Sequence, residues 1–364
     1  MRVQPPILNI PHGKVTLPAF LPDATFGQVR GLDAQDLKSC QVQAVMMNSY
    51  HLMKKPGTSV ITSQGGLHSF SGWQQPIFTD SGGFQAYSLI RRNSKFGSFS
   101  ENGIIVRPEG TRKKILLTPE KSIQLQFNMG ADVLFCLDDC THVDEVQAEQ
   151  EVSVARTITW ARRCKQQYLQ LIEQKETNQQ QRPKLFAVVQ GGGSKELRKK
   201  CAQELLEIGF DGYGYGGWPL DGQGNLLEDI IAYTRDLIPQ EFPMHALGIG
   251  HPYNAQKSYR FGYDLFDCAM PTRDARHGRL YRFKEYTKEL KGDWLEYVYI
   301  KDQRYIRNNE PISSSCDCIT CQHNSLAYLN HLYKLGESLY IRLATIHNLR
   351  FMTRLMAILR GESA

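Results

Sequence analysis

Two aspartates in this chain each close an apolar run and each is followed by residues that turn the backbone. The first lies in Thr79-Asp80-Ser81-Gly82-Gly83-Phe84-Gln85, the second in Leu265-Phe266-Asp267-Cys268-Ala269-Met270-Pro271-Thr272-Arg273. A carboxylate at the carboxyl end of a buried strand is well placed for chemistry. Two of them at one mouth can share a displacement at a sugar anomeric carbon, one as nucleophile and the other as proton shuttle. The plainer reading of Asp267 is a structural aspartate salt-bridged to Arg273 or Arg276. Arg273, Arg276 and Arg279, spaced by three, mark a face that grips phosphates or simply a solvated basic one.

Short turn-like segments follow other apolar runs: Cys136-Leu137-Asp138-Asp139-Cys140, Val189-Gln190-Gly191-Gly192-Gly193 and Tyr215-Gly216-Gly217-Trp218. Each alone reads as a tight strand-to-helix turn. Together with Phe84 as a stacking face, Asp138 and Gln190 would meet the N–H and carbonyl edge of a guanine-like base, and Gly217 would let backbone approach it. A separate cluster, Cys316-Asp317-Cys318-Ile319-Thr320-Cys321 with His347 further on, supplies three thiolates and an imidazole. That is a complete tetrahedral zinc set with no open position, hence structural. The alternative is three buried thiols and an unrelated histidine.

The elements that must position these residues are legible as eight strand-like runs, each stopping at a small or polar residue. They are 17–21 before Asp23, 44–47 before Asn48, 76–79 before Asp80, 133–137 before Asp138, 185–189 before Gln190, 212–215 before Gly216, 245–247 before Gly248 and 265–266 before Asp267. Segments 119–129, 149–173 and 194–208 are long enough for helices between them. Strands alternating with helices predict a parallel sheet, and eight units predict an α/β (β/α)8 barrel with its site at the carboxyl ends. An open doubly wound sheet is the competing arrangement. Three stretches fall outside the wall: 91–114 as a long excursion from the mouth, 174–182 as a Gln-rich solvated loop, and everything from Arg273 on, with aromatic residues over 294–305 and helical periodicity over 325–360.

A chain of 364 residues with 41% hydrophobic and 22% charged content is long enough for a barrel plus an appendage. Its net charge of +6 is compatible with a polyanionic partner without requiring one. No apolar run approaches the roughly 20 residues that span a bilayer, and Met1-Arg2-Val3-Gln4-Pro5-Pro6 lacks a signal-peptide core, so a cytoplasmic location is expected. The remaining cysteines, such as Cys40, Cys164 and Cys201, are scattered as reduced small hydrophobes are.

In this order, the motifs around Asp80, Asp138, Gly216 and Asp267 and the set Cys316, Cys318, Cys321 and His347 resemble the tRNA-guanine transglycosylases. The bacterial form, also called queuine tRNA-ribosyltransferase, is the most similar, and the match is colinear from about Leu17 to Arg360. The resemblance implies a TIM barrel over 1–272 and a zinc-binding subdomain over 273–364, inserted near the barrel's end, whose last helix returns to the barrel. It implies exchange of the wobble guanine in tRNA anticodons that begin with G for a 7-deazaguanine base, in queuosine modification. Asp267 would attack the ribose, expelling guanine and leaving a covalent RNA–enzyme ester, and Asp80 would handle the protons. The base pocket carried over is Ser81, Phe84, Asp138, Gln190, Gly216, Gly217 and Leu247. RNA contacts carried over include Gly248, Gly250, Thr272, Arg273 and Arg276, and a homodimer is implied, with segment 324–331 matching part of its interface.

The family usually continues from its Gly-Gly pair with small aliphatics and then Gly-Glu, where this chain has Trp218-Pro219-Leu220-Asp221. The wall nearest the base's 7-substituent is therefore altered. Cys140 has the bacterial character, which favours 7-aminomethyl-7-deazaguanine as incoming base; queuine, with its larger substituent, is the alternative. A non-catalytic RNA-binding subunit would have no need of both Asp80 and Asp267. Action on DNA or at an internal tRNA position is a further alternative.

Overall fold

The computed structural model describes residues 6–107, 114–178, 180–285 and 289–362. It opens with an antiparallel hairpin, β1 (Ile7–Ile10) and β2 (Gly13–Thr16). Strands then follow at the expected places: β3 (Ala19–Pro22), β4 (Val45–Met47) and β5 (Ile77–Thr79). The excursion comes next and is itself ordered as a three-stranded antiparallel sheet, β6 (Gly97–Ser100), β7 (Gly103–Val106) and β8 (Ile115–Leu117). Five more strands complete the set: β9 (Val133–Phe135), β10 (Lys184–Val189), β11 (Gly212–Tyr215), β12 (Met244–Ala246) and β13 (Leu265–Cys268).

These eight strands pair in parallel, each with its neighbour in chain order, and the last, β13, pairs with the first, β3. A single parallel bridge between Asp23 and Met46 joins β3 to β4. That bridge joins the two ends of the strand order and closes the ring, which an open doubly wound sheet cannot do, so that alternative falls and the (β/α)8 barrel stands. The strands are short and almost wholly buried because helices cover the outer face while Leu21, Met46, Phe78, Phe135, Phe186 and Leu265 fill the interior. Helices Pro119–Asn128, Gln147–Gln174 and Lys195–Ile208 lie where periodicity places them, the first and third capped by the Thr118 and Ser194 side chains.

Leu8, Ile10, Val15 and Leu17 of the hairpin join the interior cluster and close the end opposite the site. Asp132, just ahead of β9, pins that hairpin. Its Oδ1 lies 2.6 Å from His12 Nδ1 and its Oδ2 3.1 Å from His68 Nε2, while the Ile77 N–H also donates to Oδ2.

Beyond the barrel, β14 (Arg279–Phe283) and β15 (Leu295–Tyr299) form an antiparallel ribbon. The helical periodicity over 325–360 is two helices, not one, because Gly336, left-handed at φ 72°, ends Leu326–Leu335 before Ser338–Arg360 begins. This last helix lies back along the barrel. Arg342 pairs with Asp36 at 2.6 Å, Thr353 Oγ1 donates to the Cys40 carbonyl, and Arg360 donates to the Pro18 carbonyl beside β3. Asn348 bonds the backbone of Tyr281, Pro271 and Arg279, and so ties the helix Met270–Arg276 to the ribbon. The expected division at 272/273 falls inside that helix. Among the described residues no helix is long and apolar enough to cross a membrane.

Candidate functional site

Asp267 stands near the carboxyl end of β13 and Asp80 immediately after β5, so barrel geometry brings both to one mouth. The supposed salt bridge from Arg273 or Arg276 to Asp267 does not form. Instead Asp267 Oδ1 accepts from His245 Nε2 at 2.9 Å and from the Gly248 N–H at 3.1 Å. Arg273 is exposed on the helix Met270–Arg276, and Arg276 is half-buried near Arg30 and Asp23. Burial first, and then the neighbouring Arg30, lowers the Arg276 pKa. The spacing of three does not make one basic face: Arg279 opens β14, where it pairs with Asp274 at 2.7 Å and sits over the Tyr297 ring. The helix has already ended at Arg276, which removes the angular repeat that the spacing assumed.

Asp80 is held by four donors. Asn48 Nδ2 reaches Oδ2 at 2.6 Å, and Oδ1 accepts from the Ser49 N–H at 3.0 Å, Ser49 Oγ at 3.3 Å and the Gly82 N–H at 3.1 Å. Although its side chain still opens onto the mouth, the protein around it displaces water, and this burial outweighs the donors and pushes its pKa up to about 7. A third carboxylate, Asp23 after β3, also has its pKa raised, chiefly by burial and further by Asp267, while Thr25 donates to it at 2.5 Å.

The proposed base pocket assembles around Asp138, after β9. Gln190 Nε2 donates to its Oδ2 at 2.7 Å and Ser81 Oγ to its Oδ1 at 3.4 Å, and burial pushes its pKa up to about 6. Gln190 is fully buried and its Oε1 has no hydrogen-bond partner among the described residues, which leaves an acceptor ready for a ligand N–H. Gly216 must be glycine here: a Cβ would lie 2.5 Å from Gln190 Nε2. Gly217, at φ 92°, turns the chain away beside it, and Leu247 is half-buried below. Asp139, by contrast, is engaged by Arg156.

Phe84 is 42% exposed and stacks on Trp218 with centroids 6.1 Å apart and planes 19° from parallel. Phe84, Tyr87, Arg91, His142, Trp218 and Asp221 line a cavity of about 510 Å³. Gly250 is required by packing, since a Cβ there would meet Cys268 Cβ at 2.2 Å. Thr272 is buried and donates to the Ala269 carbonyl, so it shapes the turn after Asp267 from within.

The four expected metal ligands converge away from the mouth. Cys316, Cys318, Cys321 and His347 are all buried with ligand atoms within 4.8 Å of one another. His347 Nε2 donates to the Tyr281 carbonyl at 2.7 Å, which leaves the Nδ1 lone pair facing the Cys318 and Cys321 sulfurs at 3.7 and 3.2 Å. Fixing the remote nitrogen in this way is how proteins orient a histidine ligand. The donor set fits a closed, tetrahedral structural metal.

The profile of the queuine tRNA-ribosyltransferase family matches residues 6–362. The chain belongs to this family. Among relatives named queuine tRNA-ribosyltransferase, that of Actinobacillus pleuropneumoniae serotype 3 is 38% identical over 347 residues, covering 95% of this chain and 85% of the relative. That of Psychrobacter cryohalolentis is 36% identical over 353 residues, with 97% and 88% covered. That of Halothermothrix orenii is 34% identical over 354 residues, again with 97% and 88% covered. Family membership agrees with the barrel and the Cys3His cluster that the sequence pattern predicts.

Residues that sequence reasoning missed are those around the two candidate carboxylates: Asn48 and Ser49 on Asp80, His245 on Asp267, and Asp23 and Arg30 nearby. A polar residue inside a short buried strand, as His245 is, was the available signal.

Proposed function

We propose that the chain exchanges the wobble guanine of tRNA for a 7-deazaguanine base in queuosine modification, through a covalent ester on Asp267. Family membership supports transglycosylation of tRNA as the activity. The observation that supports the division of labour is the unlike settings of two carboxylates at one mouth. Asp80, with a pKa pushed up to about 7, can give and take a proton near neutrality, while among the described residues Asp267 has donors on one oxygen only.

In the first half-reaction an Asp267 oxygen bonds to the ribose C1′ as the C1′–N9 bond breaks. Guanine leaves with that electron pair and a proton from Asp80. In the second, the incoming base attacks C1′, its N9 proton passes to Asp80, and the ester's electron pair returns to Asp267. Asp138, Ser81 and Gln190 hold the base edge, Gly216, Gly217 and Leu247 its lower wall, and Phe84 its face. Arg273 and Arg276, with Gly248, Gly250 and Thr272 shaping the loops between them, receive the splayed anticodon strand. The bound metal is zinc; residues 1–272 act as barrel and 273–364 as the zinc-bearing subdomain. The enzyme works in the cytoplasm as a homodimer, for which exposed Tyr328 on the helix Leu326–Leu335 offers contact surface.

Cys140 supports 7-aminomethyl-7-deazaguanine as the incoming base. The roughly 510 Å³ cavity beyond Phe84, with Arg91 and Asp221 as polar lining, supports queuine as a second reading, because it has room for a larger hydroxylated substituent. Competition between isotope-labelled bases for one tRNA, read by mass spectrometry of the nucleosides, decides. Preferential uptake of queuine overturns the aminomethyl assignment, and uptake of neither overturns the function.

A further inference from the structure

His245 is a polar side chain set among the apolar ones, such as Phe78, Phe135 and Leu265, that fill the barrel interior. His245 is 0% exposed on β12, paired in register with Gly214 of β11 and Leu265 of β13. Its ring is caged edge-on by Phe78, centroid 6.2 Å away, and Phe135, 5.6 Å away. A buried imidazole with no partner costs free energy that an aliphatic side chain would avoid. Among the described residues Nδ1 has no hydrogen-bond partner, and the one hydrogen bond of the ring is Nε2 to Asp267 Oδ1 at 2.9 Å. With a carboxylate facing Nε2, that nitrogen is the one that carries a proton.

We propose that His245 is a positioning residue for Asp267, and that its main effect falls on the second half of the exchange; this rests on Asp267 being the nucleophile. His245 and the Gly248 N–H both donate to Oδ1, whereas Oδ2 has no hydrogen bond among the described residues. The clamp fixes which oxygen faces the ribose. Attack through Oδ2 forms the ester bond to C1′ and removes the carboxylate charge, so the two donors at Oδ1 then bond a weaker acceptor. When the incoming base breaks that C1′–O bond, the electron pair returns to the carboxylate and both hydrogen bonds regain their charge-assisted strength. The donors therefore make Asp267 a better leaving group and a slightly weaker nucleophile. Phe78 directly precedes the strand end that bears Asp80, so the cage keeps the imidazole aligned from the opposite side of the mouth.

The test compares wild type with His245→Phe, which keeps the ring volume without a donor, and His245→Gln, which restores an N–H. Guanine exchange into tRNA gives kcat and KM, and a denaturing gel gives the fraction of enzyme trapped as RNA ester. His245→Phe is expected to lower kcat by about 10- to 100-fold, the range for one hydrogen bond to a charged group. KM for tRNA should stay within a few-fold and the trapped fraction should rise, and His245→Gln should recover most of kcat. A packing role alone would lower thermal stability without raising the trapped fraction, and His245→Gln would then be no better than His245→Phe; that result overturns the proposal, as does wild-type kinetics in His245→Phe. If His245→Phe does not fold, His245→Leu replaces it in the same comparison. Asp267→Asn separates the two claims: exchange that persists in that variant sinks the covalent mechanism, whereas loss there with normal His245 variants sinks only this proposal.

Discussion

Replacing Asn48 with serine should move the pH dependence of the enzyme in a calculable direction. Asn48 Nδ2 supplies the shortest of the four hydrogen bonds to Asp80, at 2.6 Å, while Asn48 Oδ1 accepts from the His51 N–H and caps the helix Ser49–Lys54. Serine can keep the cap, being as good an N-cap as asparagine, but is too short to reach Asp80. A hydrogen bond to a charged group contributes about 1.5–3 kcal/mol, and one pKa unit corresponds to about 1.4 kcal/mol. Loss of a donor that favours the ionised form therefore raises the Asp80 pKa from about 7 by roughly one to two units. Water entering at the open mouth recovers part of this, so about one unit is expected. The first half-reaction needs Asp80 protonated, and kcat/KM for tRNA reports groups of the free enzyme. Wild type should lose kcat/KM as pH rises through about 7, and Asn48→Ser should lose it about one unit higher. Measured with labelled guanine from about pH 5.5 to 9.5, an unmoved or downward-moved limb would refute the role given to Asp80.

Asp138, with its pKa pushed up to about 6 by burial, must be ionised to accept from a base's N–H groups, so affinity for the free base should weaken as pH falls through about 6. Asp138→Asn should weaken it by roughly 100-fold at neutral pH, measured by calorimetry. Elemental analysis should find one zinc per chain in wild type, and Cys318→Ser should lose both the metal and thermal stability, because the four ligands exist as a set only in the fold; full metal content in that variant would argue against the assignment. The hairpin clasp gives a pH-dependent stability. The hydrogen bond to Asp132 raises the His12 pKa, so that contribution is fully present below about pH 6.5 and lost as pH rises through the folded value. Burial opposes ionisation of Asp132, but the hydrogen bonds from His12, His68 and Ile77 outweigh it and lower its pKa, so its contribution is present above about pH 4 and lost below. The deficit in melting temperature of His12→Ala should accordingly be larger near pH 5.5 than near pH 9, and equal deficits would contradict the reasoning.

The barrel was legible because parallel strands are covered on both faces, so most of them, such as β9 and β10, read as apolar runs that end abruptly near a polar residue such as Asp138 or Gln190. The metal set was legible for a different reason: reduced cysteines rarely crowd at Cys316, Cys318 and Cys321 without a shared ligand. What stayed hidden were relations across the mouth. Asn48 and Ser49 read as a strand end and a helix start, and nothing local says that both turn toward a carboxylate on the next strand. His245 looks like a strand terminus until register places it inside the barrel. Arg279 keeps its spacing from Arg276 in sequence, yet the chain leaves the helix between them, and Asp274 takes it. Gly336 is invisible to periodicity, because the apolar repeat resumes in the second helix and only the left-handed turn separates the two.

The central claim is that the tRNA ribose passes through an ester on Asp267. Enzyme incubated with a tRNA bearing G at the wobble position, quenched in denaturant and digested, should yield by tandem mass spectrometry a peptide over residues 265–273 carrying the nucleoside-derived mass on Asp267, and no such peptide from Asp267→Ala. Guanine exchange that continues in Asp267→Ala, or an adduct on any other residue, would contradict the account.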